Sequence, residues 1–190
     1  MPELIEPIET QKVQQQTITF RFGPVLYTTG YLTRGTFSGK DKIKTFDAMV
    51  RRAGLLVFDI RLNPWSMAPC WRKAELCDRL GNAQTFPDGR YLHVPALGNV
   101  NYRTGEEIQI QNLAFGIDTV MESCRITGLS PLLLCGCPDY ESCHRSVVGE
   151  AFAGHARRWC EITHWNNPAD NGRGDSADLF GDELTERWVV

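Results

Sequence analysis

The chain has 190 residues, of which 42% are hydrophobic and 23% are charged, close to the values of an ordinary globular protein. This composition excludes a collagenous, coiled-coil or wholly disordered chain, and the lack of any run of about 18 apolar residues excludes a membrane-spanning helix. The net charge of −3 is unevenly distributed: residues 1–19 carry −2, residues 170–190 carry −4, and the body between them carries +3, which permits local anion sites.

The cysteines and the start of the chain indicate a cellular compartment. The polar, acidic start lacks the basic and apolar regions of a secretory signal. Seven cysteines, an odd number without framework spacing, are typical of reduced thiols rather than of a disulfide scaffold. We therefore expect a cytoplasmic protein.

Short β-rich runs alternate with helical periods along the body of the chain. In chain order, the sequence predicts a strand at Val25–Thr29, a helix with Ile43, Phe46 and Val50, a strand at Leu55–Ile60, a short helix with Leu76 and Leu80, a strand at Tyr91–Val94, a long helix over 106–127, a strand at Pro131–Cys135, a helix from Val147 to His155, and a strand at Glu161–His164. Gly54, Gly81 and Gly128 are predicted to end the first three helices.

This alternation predicts an α/β fold. Parallel strands need crossover helices, so we expect a single three-layer domain with a mainly parallel sheet of about five strands and helices on both faces. The predicted organisation is a polar N-terminal extension at 1–19, an α/β domain at 20–165, and a flexible acidic tail at 166–190.

Polar side chains gather where the predicted strands end, which is where ligands bind in such sheets. They are Asp59, Arg61, Asn63 and Trp65 after the second strand, His93 in the third, and Cys135, Cys137, Cys143, His144 and Arg145 around the fourth. Asp59 and Arg61 share one strand face, which indicates an ion pair or a general base beside an arginine. His93 is either a satisfied core residue or an acid–base group.

The loop after the fourth strand leads directly into a helix. Ser142 or Cys143 is placed to cap that helix, whose free N–H groups stabilise an anion, a thiolate included. Arg145 adds a fixed charge that lowers a cysteine pKa. Three interpretations stay open here: a nucleophilic Cys143, a non-covalent anion site, and a structural loop in which Arg145 pairs with Asp59.

Zinc is an alternative cofactor, although no cofactor is predicted first. Cys135, Cys137, Cys143 and His144 offer thiolate and imidazole ligands within ten residues. Against zinc, the spacing is C-x-C-x₅-C-H rather than paired C-x₂-C, and we expect the adjacent Cys143 and His144 to point in different directions from the helix start.

Several motifs occur together and in order: YTTGY at 27–31, FDIRLNPWS at 58–66, WRKAEL at 71–76, YLHVPALGN at 91–99 and LLLCGCPDYESCHRS at 132–146. On these motifs the chain resembles the DUF488 proteins, small prokaryotic α/β proteins of unassigned function. The resemblance implies that the family-pattern positions are Asp59, Arg61, Pro64, His93, Pro95, Gly98, Cys135, Cys143, His144 and Arg145. The chain departs from the pattern at Trp71–Lys73 and in the extra thiol of Cys137.

The favoured function is an enzyme acting on an anionic, phosphate-bearing substrate, such as a nucleotide or a nucleic-acid component. Its catalytic residues are predicted to be Asp59, His93 and Cys143, and its substrate-binding residues Arg61, Asn63, Trp65, Cys135, His144 and Arg145. The spacing is not that of the C-x₅-R loop of tyrosine phosphatases.

Two other functions compete with this interpretation. A non-catalytic nucleic-acid-binding protein would contact phosphates through Arg34, Lys40, Lys42, Lys44, Arg72 and Lys73 and stack bases on Trp65, Trp71 or Tyr31. A zinc or redox module would use Cys135, Cys137 and Cys143. In the tail, Leu179 and Phe180 resemble a sliding-clamp docking peptide, or they fold back onto the protein's own surface.

Overall fold

The computed structural model describes residues 25–31, 40–155 and 161–164, with side chains described except at 40–42 and 161–164. Its strands are β1 (Val25–Gly30), β2 (Leu55–Asp59), β3 (Tyr91–His93), β4 (Ser130–Cys135) and β5 (Glu161–His164). Its helices are α1 (Lys40–Arg52), α2 (Lys73–Leu80), α3 (Leu113–Thr127) and α4 (His144–His155), with short 3₁₀ turns at Pro69–Trp71 and Pro95–Leu97.

The described strands form one parallel sheet in the order β3-β2-β4-β1-β5. The central strands β2 and β4 are buried along nearly their whole length, because both of their faces are covered by helices. Alternate strand residues therefore belong to two cores. Phe58 and Leu133 pack with α3 and α4, while Val57 and Leu132 pack with α1 and α2. The predicted α/β fold with a parallel sheet between helical layers is confirmed.

The parallel register brings the carboxyl ends of four strands to one edge of the sheet. Gly30 at the end of β1 lies beside Cys135 at the end of β4. Asp59 at the end of β2 lies between Leu134 of β4 and His93 of β3. This register places residues from the ends of different strands at one edge, as the sequence predicts.

The predicted helix over 106–127 is wrong at its start. The helix begins at Leu113, because the Asn112 side chain caps it by accepting a hydrogen bond from the Phe115 N–H at 3.2 Å. The preceding residues form a loop whose Asn101 side chain donates to the Glu107 carbonyl at 2.9 Å. At the other end, Gly128 closes α3 in the left-handed conformation at φ 68°, as predicted.

Several expectations lie outside the described residues. The N-terminal extension, the tail at 166–190, Arg34, and the proposed docking pair Leu179 and Phe180 are among them. Lys40 and Lys42 belong to α1, but their side chains are not described. Among the helices that the structure does describe, none is both long and apolar enough to cross a bilayer.

Candidate functional site

Three cysteines meet at the carboxyl edge of the sheet, and we call Cys135, Cys137 and Cys143 the thiol cluster. Cys135 is the last residue of β4, Cys137 follows two residues later, and Cys143 directly precedes α4. Their sulfur atoms all lie within 4.8 Å of one another, and the Sγ atoms of Cys135 and Cys137 are 3.7 Å apart. Cys135 and Cys143 are buried, and Cys137 is half-buried.

His144 extends this cluster with a nitrogen atom. Its Nδ1 lies 3.8 Å from the Cys143 sulfur and 3.9 Å from the Cys135 sulfur. Its Nε2 lies 3.1 Å from the carbonyl oxygen of Ile60, to which it donates. In a neutral ring this hydrogen bond leaves the Nδ1 lone pair directed at the sulfurs.

The expectation that Cys143 and His144 point in different directions is wrong. Side chains at the start of a helix tilt toward its N-terminus, and here that end of α4 lies over the end of β4. Both side chains therefore reach Cys135, the sulfur directly and the ring through Nδ1.

Cys143 is the residue that caps α4. Its sulfur accepts hydrogen bonds from the Arg145 backbone N–H at 3.5 Å and from the Arg145 Nε–H at 3.3 Å. The same guanidinium donates through Nη2 to the carbonyl oxygens of Cys137, at 2.9 Å, and Asp139, at 3.3 Å. The buried Arg145 side chain thus connects the loop residues Cys137 and Asp139 with Cys143 through hydrogen bonds.

These contacts shift the pKa values of the cluster residues in different directions. Hydrogen bonds from Cys135 and Cys137, supported by His144 and Arg145, hold the pKa of Cys143 below its ordinary value against the opposing effect of burial. Burial lowers the pKa of His144, but its hydrogen bond to Cys143 and the charge of that thiolate outweigh burial and raise the pKa. The hydrogen bond with Cys137 lowers the pKa of Cys135, but Cys143 and burial outweigh it and raise the pKa to about 12.

A second polar group, beneath the same edge, is an internal ion pair. Asp59 is fully buried and accepts hydrogen bonds from Arg61 Nε at 2.7 Å and from the Tyr91 hydroxyl at 2.8 Å. Arg61 also donates to the Tyr31 hydroxyl at 3.1 Å and to the Trp71 carbonyl at 2.8 Å. The alternative in which Arg145 pairs with Asp59 is wrong, because Arg61 on the same strand face occupies that carboxylate.

This network favours the ion-pair interpretation of Asp59 and Arg61. Both side chains lie in the interior, where their oxygen and nitrogen atoms form hydrogen bonds with each other and with other protein groups. Tyr31 and Tyr91 complete the network and were not among the residues that the sequence pointed to as partners of Asp59. Tyrosines directly after β1 and at the start of β3 were the available signal, but their hydroxyl directions depend on the packed sheet.

For two of the remaining predicted site residues, His93 and Trp65, the observed contacts are with Arg61 and Arg72 rather than with the thiol cluster. His93 is half-buried with its Nε2 2.9 Å from the Arg61 carbonyl, and burial lowers its pKa. Asn63 is exposed, and Trp65 is 59% exposed with the Arg72 guanidinium 5.4 Å from its ring centre.

Two of the three aromatics proposed to stack on bases cannot do so. Trp71 and Tyr31 are buried and stack on each other with ring centres 5.0 Å apart. That stack packs against Phe46 of α1 rather than facing solvent. The expected base-stacking role is therefore corrected for Trp71 and Tyr31, and Trp65 alone of the three is exposed.

The donor set of the thiol cluster fits a soft metal ion. A tetrahedral zinc site with metal–sulfur bonds of about 2.3 Å places neighbouring sulfurs about 3.8 Å apart. The 3.7 Å between the Cys135 and Cys137 sulfurs matches this spacing, and His144 Nδ1 lies 3.8 Å from the Cys143 sulfur and 3.9 Å from the Cys135 sulfur. The three cysteines thus form a cluster that can hold a metal ion.

Comparisons with known proteins identified no relative of this chain. No family model matches the chain, and neither a curated protein nor a solved structure matches it significantly.

Proposed function

We propose that this protein is a zinc protein in which Cys135, Cys137, Cys143 and His144 form a Cys₃His centre. The single observation that carries the proposal is the cluster of three sulfurs within 4.8 Å of one another, with His144 Nδ1 at 3.8 Å from the Cys143 sulfur and 3.9 Å from the Cys135 sulfur. Thiolate and imidazole ligands in this number are typical of zinc. The resemblance to DUF488 proteins remains part of the proposal and supplies no reaction by itself.

The groups around the cluster support a metal ligand role for His144. A metal-binding histidine normally donates its second ring N–H to a carbonyl or carboxylate, which fixes the tautomer and the ring orientation. The Ile60 carbonyl accepts that bond at 3.1 Å. The nitrogen left for a metal is then Nδ1, which is the atom that faces the sulfurs.

The charges around the cluster also support zinc. Three thiolates around Zn²⁺ leave a net charge of about −1, which a buried site must offset. The Arg145 guanidinium donates to the Cys143 sulfur from 3.3 Å and supplies the opposite charge. The Arg145 backbone N–H adds a further donor to the same sulfur.

The proposed centre has a structural role. Four protein ligands close a tetrahedral site and leave no position for water or substrate. The ligands come from the end of β4, the following loop and the start of α4, and His144 ties them to Ile60 after β2. Zinc would therefore hold the α4 end and its loop against the carboxyl edge of the sheet.

The test is the metal content of the purified protein. We expect about one zinc per chain, and we expect Co²⁺ substitution to give the thiolate charge-transfer and tetrahedral ligand-field bands. Cys143→Ser should lower zinc affinity by more than the roughly 10–100-fold that loss of a hydrogen bond supporting a ligand costs. Cys70→Ser is the matched control, because Cys70 is a half-buried thiol outside the cluster.

Two results would overturn the zinc proposal. One is a protein that neither copurifies with zinc nor binds added Zn²⁺ or Co²⁺ after reduction. The other is a Cys143→Ser variant that binds the metal as tightly as the Cys70→Ser control.

A second candidate is an enzyme that acts on an anionic substrate and uses Cys143 as its nucleophile. The observation that favours it is the convergence of Arg145 and His144 on the Cys143 sulfur, an arrangement that stabilises a thiolate. Cys143 is only 1% exposed, so a substrate would reach it after the loop at 136–142 moves. His93 and the exposed Trp65 at the same edge would then be the candidate acid–base and contact groups.

Alkylation of the native protein separates the two candidates. In the zinc protein, iodoacetamide should label Cys143 at least about tenfold faster after a chelator removes the metal, because a coordinated thiolate is protected. Cys124 is the internal control, because burial raises its pKa to about 12 and it lies outside the cluster. Fast labelling of Cys143 without a chelator would favour the enzyme, and equal labelling rates of Cys143 and Cys124 under both conditions would contradict both candidates.

A further inference from the structure

The three thiols differ in their access to solvent. Cys137 is half-buried, whereas Cys135 and Cys143 are buried. Of the three residues, Cys137 is therefore the most accessible to a small oxidant from solvent. The Cys135 sulfur lies 3.7 Å from the Cys137 sulfur, close enough to be the second partner of a disulfide.

We propose that the zinc centre is a peroxide-sensitive switch, in which oxidation joins Cys135 to Cys137 and expels the metal. This inference rests on the zinc centre proposed above. The oxidant is a small hydroperoxide, with hydrogen peroxide as the simplest member of the class. The extra thiol of Cys137, which sets this chain apart from the DUF488 pattern, is the residue that makes the switch possible.

The chemistry balances in two steps. The Cys137 thiolate attacks one peroxide oxygen, so that an S–O bond forms, the O–O bond breaks, and the departing hydroxide takes a proton to become water. The Cys135 thiolate then attacks the Cys137 sulfur, so that the S–S bond forms and the second hydroxide leaves as water after protonation. Two thiolates, one peroxide and two protons give one disulfide and two waters.

Loss of the metal follows from the loss of ligands. The disulfide sulfurs no longer carry the negative charge that binds zinc, because zinc is held by thiolates rather than by disulfides. The two sulfurs must close from 3.7 Å to about 2.05 Å, which pulls them away from a tetrahedral arrangement. Only Cys143 and His144 remain, which is two ligands in place of four.

Cys135 is a better partner for Cys137 than Cys143 is. The Cys143 sulfur is held by two N–H donors of Arg145 and caps α4, so its movement would cost those contacts and the helix cap. The Cys135 sulfur lies 3.7 Å from the Cys137 sulfur, and the two residues are separated by a single glycine on the same segment. A disulfide between them leaves α4 capped.

The experiment uses the full chain loaded with zinc and treated with hydrogen peroxide. Released zinc is followed with a chromogenic chelator, and disulfides are mapped in the same samples. We expect about one zinc released for each disulfide formed, and recovery of the metal centre after reduction and addition of Zn²⁺. The metal content before peroxide is added tests the zinc proposal separately.

The sequence allows the disulfide to be assigned. No lysine or arginine lies between Arg125 and Arg145, so trypsin leaves all three thiols in one peptide. A second cut after Glu141 separates Cys143 from Cys135 and Cys137. The expected disulfide stays within one fragment, whereas a disulfide to Cys143 would link two fragments.

Cys137→His provides the decisive variant. Histidine retains a zinc-ligand atom but supplies no sulfur, so the variant should bind zinc and release it about tenfold or more slowly under peroxide. Cys70→Ser should behave like the parent protein. Should Cys137→His fail to bind zinc, the disulfide map of the parent protein still decides the proposal.

Three results would overturn this inference. A zinc-loaded protein that keeps its metal while the thiols are oxidised contradicts it, as does zinc release with only sulfinic or sulfonic acids formed. A disulfide that always involves Cys143 contradicts the assignment of Cys135 as the partner. A protein that binds no zinc before peroxide overturns the proposed function as well, and the two failures are thereby distinguished.

Discussion

Replacing Asp59 by asparagine is expected to lower the free energy of unfolding by about 3–5 kcal/mol, the usual effect of removing one partner of a buried ion pair. Asp59 is fully buried and accepts three hydrogen bonds from Arg61, one of them from its backbone N–H, besides that from Tyr91. The variant keeps the shape of the side chain but leaves the Arg61 charge without compensation in the interior. Arg61 would have to leave its contacts with Tyr31 and Trp71 to reach water.

The measurement is urea denaturation of Asp59→Asn against a matched variant, Glu122→Gln. Glu122 and Arg125 form an ion pair one turn apart on α3, where both side chains are more than half exposed. Loss of that exposed pair should change the free energy of unfolding little, because water and salt screen it. A destabilisation of Asp59→Asn as small as that of Glu122→Gln would contradict the structural role of the Asp59 pair. It would also reopen the prediction that Asp59 is a general base.

Gly30→Ala is expected to destabilise the protein by about 1–3 kcal/mol or more, and to weaken zinc binding with it. A Cβ at Gly30 would lie 1.8 Å from the Cys137 carbonyl oxygen and 2.9 Å from Arg145 Nη2. The first of these atoms is backbone, so rotation of a side chain cannot relieve the contact. The loop that carries Cys137 must move away from the end of β1.

The readouts for Gly30→Ala are the urea midpoint and the Co²⁺ spectrum. Displacing Cys137 changes the ligand geometry, so the variant should lose metal affinity as well as stability. Gly154→Ala is the control, because no atom lies within 4 Å of an added Cβ there. It should be neutral or stabilising by up to about 1 kcal/mol, since alanine favours the helix. A Gly30→Ala variant that matches Gly154→Ala in both readouts would show that the loop is not packed against β1 as described.

The order of the elements could be predicted from the sequence because each one depends on near neighbours. The continuous apolar run from Leu55 indicated a strand covered on both faces, and β2 has that burial. Gly128 indicated the end of α3, and its left-handed conformation closes that helix. The start of α3 was missed because the apolar period extends into a loop that is held by Asn101 rather than by helical hydrogen bonds.

The geometry of the thiol cluster could not be predicted from neighbouring residues alone. The spacing of Cys135, Cys137, Cys143 and His144 suggested a weak zinc motif, since it differs from paired C-x₂-C. The ligand geometry depends on the return of α4 over the end of β4. It also depends on the Ile60 carbonyl, which lies 84 residues away along the chain and orients the His144 ring.

The amino-acid sequence by itself determined the alternation of strands and helices, and hence the parallel sheet and the edge at which the polar residues collect. Periodicity and turn residues carry that information within a few positions of each element. Only the tertiary structure decided which polar groups meet there: Arg61 with Asp59 in the interior, and His144 with the sulfurs of Cys135 and Cys143. Such pairings depend on strand register and on the seating of helix ends, because side chains that are distant in sequence must satisfy one another's charges and hydrogen bonds once they are removed from water.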